Sequence, residues 1–542
     1  MSRAAGEQHR RADSRTQCRR PYAKHTAVRR AGSCTLNTSR ARKEVRRPVP
    51  TPTRRRNLLV LAICCMSLLI VSLDTTALNV ALPDIRRDLD APVSGLQWVI
   101  DAYTLVLAAL LMLSGATADR IGRRRVFRWG LAVFVTGSLL CSLAPGLGWL
   151  VAARALQAVG GSMLNPVAMS IITNTFTDPR ERARAIGVWG GVVGLSMAAG
   201  PVLGGLLVDL SSWRAIFWVN VPIGLAALLL TTRYVPESRA PRARRPDPVG
   251  QLLMIVLLVS LTYGIIESPR HGLASPLVLS CATLALLALI GFLHHAARHP
   301  EPLIDLRFFR SAPFAGATGI AVCAFAGLGG FLFLTSLHLQ DVRGMDALDA
   351  GLHLLPMAAM TLIFAPLSGR IVGSRGPRIP LLAAGTGMTA AGVLFALTAS
   401  PDLHLGVLFT GYVLFGIGFG LVNAPITNTA VSGMPRAQAG VAAAVASTSR
   451  QIGSSLGVAV VGAVMASAAA GSGSYEGFAD AEGTAWWILA GCGVAVLLLG
   501  AVTSGRWARG TAERTARRLI AEDDGSPGPP QSQRANNALR KS

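Results

Sequence analysis

Three charged residues interrupt apolar runs of this chain: Asp74 in Leu73-Asp74-Thr75-Thr76, Asp101 in Val99-Ile100-Asp101-Ala102-Tyr103, and Arg154 in Arg154-Ala155-Leu156-Gln157. An ion in an apolar medium costs several kcal/mol, so a carboxylate there takes a proton or finds a cation. Arginine keeps its charge and must be paired. A proton and an arginine competing for one carboxylate make a switch, chemistry suited to coupling proton binding to a change of shape. Asp74 and Asp101 are candidate proton or cation sites, with Arg154 as counter-charge; the alternative is a purely structural carboxylate capped by Thr, Asn or Arg. Arg450, in Arg450-Gln451-Ile452-Gly453, is a possible second buried cation.

The elements that must hold these residues are membrane helices. The chain has 542 residues, 51% hydrophobic and 15% charged, with mean hydropathy +0.46. Its apolar residues fall in runs of about 18 to 25, the length that spans a bilayer as helix. Spans are expected near 58–80, 96–115, 126–145, 148–173, 185–208, 213–234, 249–267, 275–295, 313–337, 351–372, 378–399, 403–429, 438–469 and 485–504. That makes fourteen, grouped 6+2+6: a first half over 57–235, an inserted pair over 236–312 and a second half over 313–505.

The net charge of +24 does not point to nucleic acid, because 17 Lys and Arg against three acids lie in residues 1–56, without aromatic interleaving or apolar period. That segment reads as a disordered cytoplasmic arm, and 506–542 as a cytoplasmic tail. Loops after even-numbered spans hold twenty arginines and those after odd-numbered spans five, which places both termini in the cytoplasm. His338 and His353 flank an odd-numbered loop and read as solvated, and the acids near Glu482 read as loop residues. The cysteines show no disulfide or ligand spacing, and neither a G-x-x-x-x-G-K-[ST] loop nor an H-E-x-x-H pair occurs. No enzyme, metal or cofactor is expected, and an ion gradient is the implied energy source.

The chain repeats itself. Gly115 and Gly122 recur as Gly369 and Gly376, and Ile172-Thr173-Asn174-Thr175 as Ile426-Thr427-Asn428-Thr429, at an offset of 254 residues, with Pro179-Arg180 recurring as Pro435-Arg436 at 256. Parallel six-span repeats are a mark of transporters whose site lies between two halves that rock. The block from Gly115 through Asp119, Arg120, Gly122, Arg123 and Arg124 reads first as a hairpin turn whose arginines set orientation. In the fifth span, Gly187 and Gly200-Pro201-Val202-Leu203-Gly204-Gly205 permit close helix approach and a bend, hence a hinge.

With these residues in view, 57–510 resembles the major facilitator superfamily, and the extra central pair resembles its fourteen-span drug:proton antiporter branch. The resemblance implies an all-α facilitator fold and a cytoplasmic latch at Gly115, Asp119, Arg120, Gly122, Arg123 and Arg124. The second copy lacks the acid, since Gly373 stands where Asp119 would be, so the latch is expected to be asymmetric. It implies an antiporter signature at Gly187, Gly200, Pro201, Gly204 and Gly205, although Ser196 stands where that pattern has glycine. It also implies roles for Asp74 and Asp101 in protonation or cationic-drug recognition, with Arg154 matching the fourth-span arginine. The function expected is proton-driven export of amphipathic or cationic drugs or antibiotics across a bacterial inner membrane by a lipid-embedded monomer. The alternatives are a narrow exporter of one self-made antibiotic or metabolite, a transport-inactive sensor, and an uptake symporter that Gly200-Pro201 disfavours.

Overall fold

The computed structural model describes residues 54–239, 246–400, 403–432, 434, 438–471 and 475–523. Most of the basic arm, Pro435-Arg436 of the repeat and residues 524–542 lie outside them. The described residues contain helices and no strand. In order these are α1 (Arg54–Asp88), α2 (Val93–Ile121), α3 (Arg123–Ser142), α4 (Leu147–Thr175), α5 (Pro179–Leu210), α6 (Arg214–Tyr234), α7 (Pro248–His271) and α8 (Pro276–Arg298). A 3-10 turn over Leu306–Arg310 leads into α9 (Ala312–Leu337), which ends in a π turn over His338–Val342. Then come α10 (Ala347–His353), α11 (Leu355–Arg375), α12 (Arg378–Thr398), α13 (Leu405–Val431), α14 (Ala439–Gly471), α15 (Tyr475–Thr503) and α16 (Arg506–Asp523).

Local chemistry sets the boundaries. Asp178 accepts hydrogen bonds from the amides of Arg180 and Glu181 at 2.9 Å and Pro179 opens α5; Asp247 and Pro248 do the same for α7. A single residue, Gly122 at φ +124°, separates α2 from α3, and its repeat partner Gly376 turns the chain from α11 to α12 at φ +83°. Pro201 removes a hydrogen bond to the preceding turn, and α5 bends by 44° between Arg180–Met197 and Ala199–Leu210.

Eleven helices among the described residues are long and apolar enough to cross a membrane, with α10 and α11 counted as one, or twelve with bent α5. Two of the fourteen expected spans, α3 and α14, fall outside that set. Four arginines in the first six residues of α3 dilute its apolar run. The tail expected from residue 506 begins as helix α16, which buries Ala508, Ala512 and Leu519 and accepts the Ala312 amide on Thr511 Oγ1 at 2.9 Å.

The packing repeats as the sequence does. α1 lies on α5, α2 on α4, and α3 on α4 and α6; the corresponding pairs α9 with α14, α11 with α13, and α12 with α13 and α15 form the second half. Glycine permits the tightest of these approaches. A Cβ at Gly204 would stand 2.8 Å from the Ala77 carbonyl of α1, while Cβ atoms at Gly453 and Gly457 of α14 would strike the Val322 and Ala326 carbonyls of α9. The halves meet where α2 faces α14 and where α5 faces α10, and α7 covers the α2–α14 seam.

Candidate functional site

Asp74 sits midway along α1, 1% exposed, at the centre of a buried polar cluster. Its Oδ2 accepts Arg154 Nη1 at 2.5 Å, and its Oδ1 accepts Gln157 Nε2 at 2.9 Å and Asn220 Nδ2 at 2.7 Å. Arg154 and Gln157 lie three apart on α4, so both point at α1. Arg154 Nη1 also reaches Gln157 Oε1 at 2.7 Å, Gln157 Nε2 reaches Ser138 Oγ of α3 at 2.7 Å, and Arg154 Nε reaches the Val99 carbonyl of α2 at 3.2 Å. The guanidinium carbon lies 4.3 Å from the centre of the Tyr103 ring and 5.7 Å from that of Phe217. Five of the first six helices thus converge on one carboxylate and one arginine whose side chains have no exposure. Gln157, Asn220, Ser138 and Tyr103 were not picked out from sequence, although polar residues inside apolar runs are a usable signal.

Asp101 does not join this cluster. It is buried on α2 toward the second half, where Thr104 Oγ1 donates to its Oδ1 at 3.3 Å and Ser455 of α14 faces it, while Oδ2 has no partner. One turn earlier, Gln97 Nε2 crosses to the Ala459 carbonyl of α14 at 2.8 Å. Arg450 lies on the same helix, half-buried, with Nη2 on Thr427 Oγ1 at 2.6 Å, Nη1 on Ser447 Oγ at 3.3 Å and the Phe325 ring 5.9 Å away. Among the described residues no carboxylate pairs with Arg450, and no basic side chain pairs with Asp101.

The glycines of α5 differ by position. Cβ atoms at Gly200 and Gly205 would collide with Thr76 of α1 and the Ala347 carbonyl of α10, and one at Gly351 with the Pro201 carbonyl. Nearby, Ser336 Oγ donates to the Asn79 carbonyl at 2.5 Å, Gln340 Nε2 to the Val80 carbonyl at 2.7 Å, and Arg86 pairs with Asp341 at 2.8 Å. At the arginine-rich ends, by contrast, a Cβ at Gly187, Gly190 or Gly191 of α5, or at Gly369 or Gly373 of α11, would meet nothing within 4 Å. One apolar cluster spans both halves and runs the length of the second, from Leu339 to Phe308 and Leu519, while a second, running from Val60 to Val235, gathers buried residues of the first half.

In the Gly115–Arg125 block, Asp119 Oδ1 accepts Arg123 Nη2 at 2.8 Å, one turn along the chain, and Arg120 is exposed. The block docks on the α6–α7 connection: Glu237 Oε1 accepts the Arg124 amide at 3.2 Å, Ser238 O accepts the Arg123 amide at 2.9 Å, and Arg124 Nη2 donates to the Thr232 carbonyl at 2.5 Å. Glu237 was missed from sequence because it sits beyond the sixth span, in a loop with no pattern of its own. At the same end Asp247, His295 and His299 bring ligand-type atoms within 4.8 Å of one another. Asp247 already accepts from Gly250 N, His295 Nε2 and Leu303 N, so the cluster works as a joint tying α7, α8 and the approach to α9.

His338 corrects the expectation of a solvated loop residue. It is 4% exposed and its Nδ1 lies 2.9 Å from Oε1 of Glu482, itself 5% exposed. The π turn rotates it off the surface and into the second-half bundle.

Helix packing that repeats from the first part of the chain to the second, with close glycine contacts between the two at one end, suits an alternating-access carrier. Residues 64–458 match the Major Facilitator Superfamily. The chain belongs to that superfamily. Among its facilitator relatives, Multidrug resistance protein Stp of Mycobacterium tuberculosis is 39% identical over 412 residues, 76% of each chain. Tetracenomycin C resistance and export protein of Streptomyces glaucescens is 38% identical over 78% of this chain and 76% of that one, and Methylenomycin A resistance protein of Bacillus subtilis 32% over 83% and 93%. The facilitator fold is also that of a solved bacterial homologue of the human lysosomal transporter Spinster, in an inward-facing and unoccupied conformation. It has a TM-score of 0.57 at 19% identity, covering 86% of this chain and 98% of that one.

Proposed function

We propose that this facilitator exports drugs or antibiotics across a bacterial plasma membrane in exchange for protons, with Asp74 as the proton carrier. The observation that carries the reading is the Asp74–Arg154 pair, whose charges are fully desolvated where five of the first six helices converge. A proton reaching Asp74 would cancel its negative charge and free Arg154, whose remaining partners are Gln157, the Val99 carbonyl and two ring faces. That change pulls on α1, α2 and α4 at once. α1 carries the glycine contacts with α5, so proton binding and the closure of one end share a helix.

In this reading the arginine-rich ends and both termini face the cytoplasm, and the structure is the inward-open state. The latch block then stands disengaged, with Asp119 held by Arg123 and Arg124 held by the α6–α7 connection. Gly200, Pro201, Gly204 and Gly205 form the hinge, and Gly187 lines the open cleft. Asp101 and Arg450 flank the path from opposite halves, one for cationic groups and the other for polar or anionic ones. The six-two-six division, the monomer and the absence of any cofactor belong to the same proposal. Relatives named for multidrug, tetracenomycin and methylenomycin resistance support the substrate class.

The test is substrate uptake into inverted vesicles with and without a pH gradient. Wild type is expected to accumulate drug only with the gradient, Asp74→Asn to lose at least about 90% of that uptake, and Asp101→Asn to alter substrate preference. Full gradient-driven uptake by well-folded Asp74→Asn would refute the assignment.

A further inference from the structure

The second half contributes Ser336, Gln340 and Asp341 to the closed end, bonded to Asn79, Val80 and Arg86 of α1. All three lie on the last turn of α9 and the π turn that follows, a geometry that recurs at functional positions. His338 lies between them and points the opposite way. Its Nδ1 meets Glu482 Oε1 at 2.9 Å and Oε2 at 3.2 Å, and Trp486 Nε1 donates to Oε1 at 3.2 Å. Three further polar atoms are buried beside them: Tyr412 Oη and Thr335 Oγ1, which lie against each other, and His338 Nε2, which has no partner among the described residues. All three residues line one small cavity with Glu482, roofed by Ser400 and Leu403 and large enough for about one water molecule. Such a water would satisfy donors and acceptors that are otherwise costly to bury.

Among the described residues, the charged and titratable neighbours from each packed element are few. They are Tyr412 on α13, Asp480 at the exposed start of α15, His404 before α13, Arg343 after the π turn with its guanidinium on the Leu403 carbonyl, and the Arg86–Asp341 pair with Asp84 on α1. From α12 the cavity receives Phe395. Among the described residues, His338 is the group in ion-pair contact with Glu482.

We propose that His338 and Glu482 form a proton-binding gate of the second half, its ligand a proton delivered from the outer solution through one water. It rests on the antiport reading above for its assignment of sides. With a proton on the imidazole the pair is net neutral and tolerates burial; with that proton returned to outer water, Glu482 is a buried anion that has lost its contacting cation, which hydration by opening relieves. Acid outside therefore closes the outer end and alkali opens it. The proton leaves by the side it entered, so the gate times the cycle while Asp74 supplies the coupling.

The experiment is pulsed electron–electron resonance between spin labels at Asp90→Cys and Leu352→Cys, two exposed positions on opposite halves, in purified full-length protein whose native cysteines are replaced by serine. Wild type should shift toward the short, closed distance as pH falls from 8 to 5.5. His338→Gln should need at least about tenfold more protons to close, because Glu482 must then be neutralised directly. Glu482→Gln should stay closed across the range. The double variant His338→Gln/Glu482→Gln, which buries no charge, covers the case in which either single variant fails to fold, and should be closed and insensitive to pH. Opposite shifts in the two single variants are the signature, since loss of mere packing would move both the same way. A wild-type pH response retained in the single or the double variant, or a common direction in both singles, overturns the gate. Uptake in inverted vesicles is measured alongside: failure of gradient-driven uptake in wild type would sink the antiport reading instead.

Discussion

Removing the members of the Asp74–Arg154 pair one at a time should produce two different dependences of stability on pH. Arg154→Gln leaves Asp74 with Gln157 and Asn220 as donors but no cation, at zero side-chain exposure. Asp74 can escape by taking a proton. Relative to an unfolded chain in which an ordinary carboxylate near 3.9 is ionised, holding that proton costs about 4 kcal/mol at pH 7 and about 1.5 kcal/mol at pH 5. The folded variant then binds one proton more than the unfolded chain, so its stability falls as pH rises, by about 1.4 kcal/mol per unit. Asp74→Asn strands Arg154 instead. Arginine cannot lose its proton, so the loss is about 3–5 kcal/mol and flat between pH 5 and 7.5. Unfolding in mixed detergent and SDS micelles, followed by circular dichroism at pH 5, 6 and 7.5 and referenced to wild type, measures both slopes. Parallel curves for the two variants would mean that the pair is not the desolvated unit described, and the proton-competition argument would fail with it.

Gly205→Ala and Gly351→Ala each place a methyl group against backbone across the closed end, and should hold the protein open there and cut transport at least about tenfold with normal expression. Gly187→Ala faces open space and should transport like wild type in the same assay. Gly122→Ala meets both a φ of +124° and the Glu237 carboxylate 2.5 Å from the new methyl group, and should cost about 1–3 kcal/mol in the micelle unfolding assay. Burial pushes the Asp247 carboxyl up, but the Gly250 amide, His295 and the Leu303 amide together hold it below the usual carboxylate range. The stability it lends is present above about pH 4 and lost as pH falls through its depressed value, so hydrogen exchange in α7 and α8 should match at pH 5 and 7 and rise only below about pH 4.

The helices and their order were legible because about 20 apolar residues in a row have few alternatives to a membrane helix. The repeat was legible because paired glycines at Gly122 and Gly376 make the same turn twice. Asp74 and Arg154 stood out as ions in apolar runs, but sequence could not say that they meet, since 80 residues separate them. Gln157, Asn220 and Tyr103 were hidden by being ordinary residues whose importance lies only in convergence. His338 misled for a different reason. Loop position suggested water around it, whereas one π turn, with no sequence mark, swings the ring toward a helix 144 residues away. Glu482 was equally concealed, because α15 starts before the apolar stretch that defines a span.

In the proposed cycle the closed end must open when its gate gives up a proton. Three of its polar links, Ser336 to Asn79, Gln340 to Val80 and Arg86 to Asp341, carry little energy each: about 0.5–1.5 kcal/mol for a neutral hydrogen bond and about 0.2–1 kcal/mol for the partly exposed ion pair. Their sum is of the order of the 2.3 kcal/mol that one proton releases in crossing 100 mV. Glycine against backbone at Gly205 and Gly351 holds α5 and α10 close, and Met197 packs toward Leu332, Leu354 and Met357 beside them. Large aromatics at this interface would have added several kcal/mol and locked it. Those rings, Phe331, Phe395, Tyr412, Phe415 and Trp486, are packed instead inside the second half, where they stiffen a body that must move as one. Rigid halves joined by individually modest polar contacts suit the rocking cycle proposed above.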